Sequence, residues 1–356
     1  MATYKTIKYI VPVEVVEHTD SINALADVDT STAAPTEGQT IKWNGTNWVP
    51  GDIEEAAAIT TQKAIFGFGY TGTGLTNKSN LVSSLGVVSS DVTGVGTARY
   101  TLAASGYGED KALFGFGTDG SSNKVSITNL VSNTGVVATD TAGVGTAKTS
   151  LAAAGFGGDK AIFGFGTDGS YTSATNLVSN AGVVSTDTTG VGTARMQLAA
   201  AKYGNDKALF GYGLNNAGDQ VSMTNLVSNA GVVATDTAGV GTARESSSAT
   251  GYGGDKAIFG FGHSTDDGGF RTDYSKTNLV SNTGVVSSDV TGVGTARTIL
   301  ASAGYGGDKA IFGFGYTTSF ESMTNLVSNT GVVASDTAGV GSGTYAPSAA
   351  GYSSTA

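Results

Sequence analysis

The sequence predicts an all-β fold: a six-bladed β-propeller, four antiparallel strands per blade, behind a small N-terminal β module. Three observations carry this expectation. A heptapeptide of the form Lys-Ala-Ile-Phe-Gly-Phe-Gly is written six times, beginning at Lys63, Lys111, Lys160, Lys207, Lys256 and Lys309. Its spacings of 48, 49, 47, 49 and 53 residues are those of a repeat architecture. Each repeat divides into four short strand-like pieces bent at Gly or Asn, the content of one propeller blade.

Bulk composition bounds the function. The 356 residues carry a formal charge of −10, which argues against nucleic acid or an anionic membrane as partner. With no cysteine there is no disulfide, thiolate metal site or cysteine nucleophile. Residues 1–20 lack an apolar run long enough for a signal peptide or membrane span, so no membrane insertion is expected.

Taken in order, residues 3–17 are rich in β-branched and aromatic side chains and read as an edge strand interrupted at Pro12. Residues 27–37 are polar and irregular. Asn44-Gly45, lying between apolar residues, signals a tight hairpin flanked by the only two tryptophans, Trp43 and Trp48. These either form a small hairpin core or, together with Tyr9, a docking surface. Residues 53–61 read as a linker, separating a module at 1–52 from the repeats at 62–356.

The stretch Ala24-Leu-Ala-Asp-Val-Asp, with residues 34–51 after it, resembles a segment of tailed-bacteriophage fibre, neck and other virion structural proteins. That resemblance implies a virion location and contact with other virion structural proteins through the N-terminal module. It does not specify an organ of the virion.

Within a repeat, the last copy is the clearest. Residues 298–305 form a first piece of small residues, suited to the crowded centre of a ring. A Gly-Gly-Asp turn leads to the aromatic second piece, 309–315. The third piece covers 324–328, an Asn-Thr-Gly turn follows, and the fourth covers 332–335. Aromatics at i and i+2 of the second piece, such as Phe66 and Phe68, are expected on one strand face as core. The pattern resembles a kelch repeat, with Gly-Phe-Gly in place of the kelch Gly-Gly doublet and no tryptophan in the fourth piece.

The first copy lacks a preceding first piece, and residues 345–352 supply a spare one after the sixth. The two balance only if that late piece pairs beside Lys63, closing the ring and removing free sheet edges.

Two sixfold sets accompany the repeats. Asp91, Asp140, Asp187, Asp236, Asp289 and Asp336 each precede a Gly-Val-Gly loop, and Arg99, Lys148, Arg195, Arg244 and Arg297 follow it, with Thr344 in the last copy. A catalytic group is needed once, so both sets read as architectural. The two histidines, His18 and His263, cannot build a His-based triad or a multi-His metal site. No cofactor or metal is expected, and the protein is expected not to be an enzyme.

Variation concentrates in the loops between second and third pieces, the longest being the 14 residues 263–276. Strand alternation places these loops on one face with the Gly-Val-Gly loops. Loops on a rigid scaffold are where recognition usually sits, so Tyr70, Tyr171, His263, Phe270, Arg271, Tyr274, Tyr316 and Phe320 are the candidate contacts for a host surface receptor or glycan. A purely structural neck, collar or capsid-decoration role is the alternative, and a homo-oligomer is compatible with either.

Overall fold

The computed structural model describes Val28 and residues 39–44, 46–52 and 62–353. The chain divides into two compact units, Met1–Ala58 and Ile59–Ala356. The described residues are all-β, without a helix.

In the first unit, Gln39–Trp43 pairs antiparallel with Trp48–Asp52, and Trp43 lies directly opposite Trp48. The turn is wider than Asn44-Gly45 alone predicts. The Asn44 side chain accepts from the backbone amides of Thr46 and Asn47, at 2.9 and 2.8 Å. The connection therefore runs from Asn44 to Asn47, closed by Asn44 N to Asn47 O at 3.0 Å. An Asn side chain that mimics a backbone turn replaces the two-residue solution. The residues 3–17 and Tyr9 lie outside the described residues.

The second unit contains six three-stranded antiparallel sheets, one per repeat. In repeat 2 the inner strand is Ala103–Tyr107, the middle strand Lys111–Gly115 and the outer strand Thr128–Val131. Repeats 3 to 6 copy this order. Repeat 1 takes its inner strand, Ser348–Tyr352, from the far end of the repeats and pairs it with Lys63–Gly67, Tyr352 opposite Lys63. The expected pairing of the late strand beside Lys63 is therefore present. Each inner strand lies beside the inner strand of the next repeat, and that of repeat 1 lies between those of repeats 6 and 2.

The fourth piece is not a strand. It meets the outer strand at two isolated bridges per repeat, as at Val131↔Val137 and Thr128↔Thr141. Between those bridges the Asn129 amide turns inward and donates to Ala138 O at 3.0 Å, so a side chain does part of the ladder's work. The sequence cannot distinguish such a bridged segment from a strand, since its residue types are the same.

The aromatic pattern also resolves differently from expectation. The middle strand ends at the first Gly of Phe-Gly-Phe-Gly, and the second aromatic has left-handed backbone, φ 62 at Phe68 and 65 at Phe116. The two rings thus point to opposite seams. Phe66 packs on Phe314 of repeat 6 and Phe68 on Phe114 of repeat 2, each at 5.0 Å between ring centroids. The same contact recurs at all six seams, 4.9 to 5.1 Å apart. Each pair is worth about 0.5–1.5 kcal/mol beyond its buried area. All twelve rings are core, as read, and are 0–1% exposed.

The glycine between the two rings follows from this packing. A Cβ at Gly115 would sit 2.7 Å from the Phe163 ring of the next repeat. No side chain fits where the neighbour's ring presses on the backbone.

Candidate functional site

Six copies of one framework hold the two faces. At one end of the sheets, the turns between inner and middle strands are tied in a ring of backbone hydrogen bonds. Gly108 N donates to Asp159 O, Gly157 N to Asp206 O, and so on, until Gly306 N reaches Gln62 O and Ser353 N reaches Asp110 O, all at 2.7 to 2.9 Å. Five of the six lysines that begin the middle strands pair with the Asp before them, as Lys111 with Asp110 at 2.7 Å and Lys309 with Asp308 at 2.9 Å, while Lys63 follows Gln62.

At the other end emerge the variable connections and the Gly-Val-Gly loops, joined by contacts such as Asn77 Nδ2 to Gly96 O at 2.6 Å. Here the sixfold Asp residues act between repeats. Asp140 accepts from Thr97 of the preceding repeat, N at 3.1 Å and Oγ1 at 2.6 Å, and from its own Asn129 at 2.8 Å. Asp91 does the same with Ser342, so this link too crosses the closure. Burial pushes the Asp140 carboxyl upward, but the Thr97 and Asn129 hydrogen bonds outweigh it and hold the carboxyl below its usual range.

The accompanying cations are fully buried. Arg99 donates through Nε to Phe116 O at 2.8 Å and stacks its guanidinium 4.4 Å from the Phe68 ring of the preceding repeat. Burial lowers its pKa to about 10, against the favourable field of Asp140. Arg99 Nη1 stands 4.0 Å from Asp140, so the carboxylate is held mainly by hydroxyl and amide donors. Lys148, where the others have Arg, is lowered to about 8 by burial.

The mouth of this face is a ring of six residue pairs. Tyr70 opposes Tyr345, Thr118 opposes Tyr100, Thr167 opposes Thr149, Leu214 opposes Met196, His263 opposes Glu245, and Tyr316 opposes Thr298. The backbone is constant and the side chains are not. Aromatics gather where repeats 6, 1 and 2 meet. Tyr70 packs edge-on to Tyr100 at 6.5 Å and to Phe320 at 6.0 Å, while Tyr316, Phe320 and Tyr345 contact one another at 5.9 to 6.1 Å. Together with Leu75 and Asp119 they line an open groove of about 620 Å³. Burial and the neighbouring Tyr100 push the Tyr345 phenol upward.

Of the residues expected on this face, Tyr70, Tyr316 and Phe320 come together in the groove. Arg271 joins them at one side, 5.7 Å from the Tyr316 ring and held in a fork by Asp273 at 2.7 and 3.1 Å. Phe270 is 76% exposed on the tip of the hairpin His263–Thr265 and Arg271–Asp273. Tyr274 hydrogen-bonds Ser264 at 2.8 Å and lies under the Lys276 ammonium at 4.5 Å, which makes it a support of that hairpin. Tyr171 stands apart, bridged to Thr167 in repeat 3.

His263 differs from expectation. It is buried, with Nδ1 on Thr298 Oγ1 at 2.9 Å and Nε2 at 3.3 Å from Glu245, because it belongs to the mouth pair and not to the loop beyond it. Tyr100 and Tyr345 escaped the sequence reading, since they directly precede the small-residue piece and were absorbed into it. The signal was present: the residue after each sixfold cation position, or after Thr344, reads Tyr100, Thr149, Met196, Glu245, Thr298 and Tyr345, as varied as the loops.

In the first unit Trp43 and Trp48 pack ring on ring at 5.6 Å yet remain 52% and 41% exposed. Among the described residues, no helix is long and apolar enough to cross a membrane, and no cluster of His, Cys, Asp and Glu could hold a metal. The chain matches no known family model and no curated protein.

Proposed function

We propose that residues 62–356 form a six-bladed, kelch-like propeller and that the protein is a non-enzymatic appendage of a bacteriophage particle. Its loop face binds a host surface receptor or glycan, and the N-terminal module fastens it to other virion proteins. The observation that carries this reading is the groove lined by Tyr70, Tyr100, Tyr316, Phe320 and Tyr345. Rigid, partly exposed aromatics on a repeated scaffold, gathered where repeats 3, 4 and 5 carry Thr, Leu, Met, His or Glu at the mouth, suit stacking against sugar rings or a protein anchor. Trp43 and Trp48, exposed on a short hairpin, suit docking.

A second reading, a structural neck, collar or decoration protein, is favoured by the opposite face. Val87, Val136, Val183, Val232, Val285 and Val332 are each 65–66% exposed at the same place in every repeat, which suits contact with a subunit of matching symmetry. Particles carrying Tyr316→Ala with Phe320→Ala separate the two. Normal assembly with adsorption reduced about tenfold or more supports the loop face; unchanged adsorption overturns it, and defective assembly favours the structural role.

A further inference from the structure

The inner strands enclose a chamber of about 410 Å³ that opens among the tight turns, at the end away from the aromatic groove. It narrows toward the groove side, where Leu102, Leu151, Leu198 and Leu300 stand at equivalent positions and are 5–6% exposed. Its wall is Ala, Ser, Thr and Gly in five repeats. At the position of Gly106, Gly155, Gly251, Gly304 and Gly351, however, repeat 4 places Lys202.

Lys202 is the one departure from sixfold smallness, and nothing in the scaffold calls for it. Its stem runs past Gly155, whose Cβ would lie 3.8 Å from the Lys202 Cδ. Among the described residues no carboxylate comes within ion-pair range of its ammonium. Asp206, the carboxylate whose field favours its charge, is paired to Lys207 at 3.1 Å. Burial disfavours the Lys202 cation. An unpaired, half-buried charge in a walled space gains most from an anion.

The surrounding groups suit a polyhydroxylated ligand. Gln62 holds its carbonyl oxygen on Gly307 N at 2.9 Å, and its Nε2 lies over the inner strands of repeats 6 and 1. Ser105, Thr250 and Ser302 line the wall, the Ser105 hydroxyl on Gly106 O at 3.2 Å and the Ser302 hydroxyl 2.6 Å from that of Ser248. The charged groups at the rim are Glu109, which is exposed, and Lys160 and Lys309, each paired to its own Asp. The volume lies within the range of small-molecule sites.

We propose that this chamber binds an acidic monosaccharide, its carboxylate or phosphate on the Lys202 ammonium and its hydroxyls on the wall. The site is separate from the loop-face groove and stands or falls independently of it.

The test is calorimetric titration of the full chain with glucuronate, glucose 1-phosphate and uncharged glucose, on wild type and on Lys202→Gly. Five repeats already carry Gly here, so the variant should keep the wild-type melting temperature. Expected is binding of at least one acid with a dissociation constant near 1 mM or tighter, weakened about tenfold or more in the variant, or about 1.4 kcal/mol. The acid preferred tells carboxylate from phosphate. Glucose binding as well as both acids, an acid binding equally to the variant, or no acid binding at about 50 mM would each overturn the proposal. Tyr316→Ala should leave this titration unchanged.

Discussion

Asp140 shows how a single carboxylate can join two repeats. It gathers donors from Thr97 and Asn129, and its five counterparts do the same around the second unit, each with its pKa held down. A depressed folded-state pKa means that the native state binds fewer protons than the unfolded chain, whose Asp titrates near 3.9. The stability these groups confer is complete above that pH and is lost as pH falls through the folded values. Thermal unfolding should therefore be flat from about pH 7 to 5 and fall steeply below about pH 4. Asp140→Asn should cost about 1.5–3 kcal/mol at pH 7 and shrink the acid-sensitive part. A variant with an unaltered acid limb would rule this account out.

Ile299 presents the opposite balance. With φ 53 it occupies left-handed backbone that β-branched residues avoid, as do Thr101, Ser150, Gln197, Ser246 and Ala346 at the same place. A chain of backbone hydrogen bonds holds them there, Ser150 N to Thr101 O at 2.9 Å through Ile299 N to Ser246 O at 2.9 Å. Asn tolerates this region better, so Ile299→Asn should raise stability by about 0.5–1 kcal/mol, read from the melting temperature.

At the scale of the element, the middle strand sets the spacing between neighbours. Gly115→Ala would drive a methyl into the Phe163 ring and should destabilise by about 1–3 kcal/mol in denaturant titration. The same substitution at exposed Gly158, where a Cβ would meet nothing, meets only the penalty of its φ of 86. This element also shows what was legible in advance. The heptapeptide revealed the number of repeats, the buried aromatics and the missing first strand, because each is written as composition at fixed spacing. The reversal of Phe68 relative to Phe66 was not legible, since it depends on a left-handed turn that a neighbour's ring imposes. Likewise the strand character of the fourth piece depends on Asn129 competing for the ladder. The variability at Tyr100 and Tyr345 was written in the sequence, but their place at the mouth follows from the backbone pairing that sets them opposite Thr118 and Tyr70.

Over the whole second unit, every seam carries the same set of contacts: an aromatic pair, an Asp link and a turn-to-turn hydrogen bond. The seam between repeats 6 and 1 and the sheet of repeat 1 depend on residues far apart in the chain. Removing 348–353 would strip the inner strand from Lys63–Gly67 and expose Ala64, Ile65 and Phe66, now 0–1% exposed. Two-state unfolding should then give way to a broad transition, with dye-binding hydrophobic surface in native buffer. A sharp transition at the wild-type temperature would show that the strand contributes little.

That arrangement has a consequence for biosynthesis. While the ribosome is still at work, one sheet edge of Lys63–Gly67 lacks Ser348–Tyr352, its partner in the finished fold. The nascent chain must carry that bare edge until the final strand leaves the exit tunnel, a long exposure for an apolar strand. The first sheet is therefore completed only after Ser348–Tyr352 has been made, late in translation.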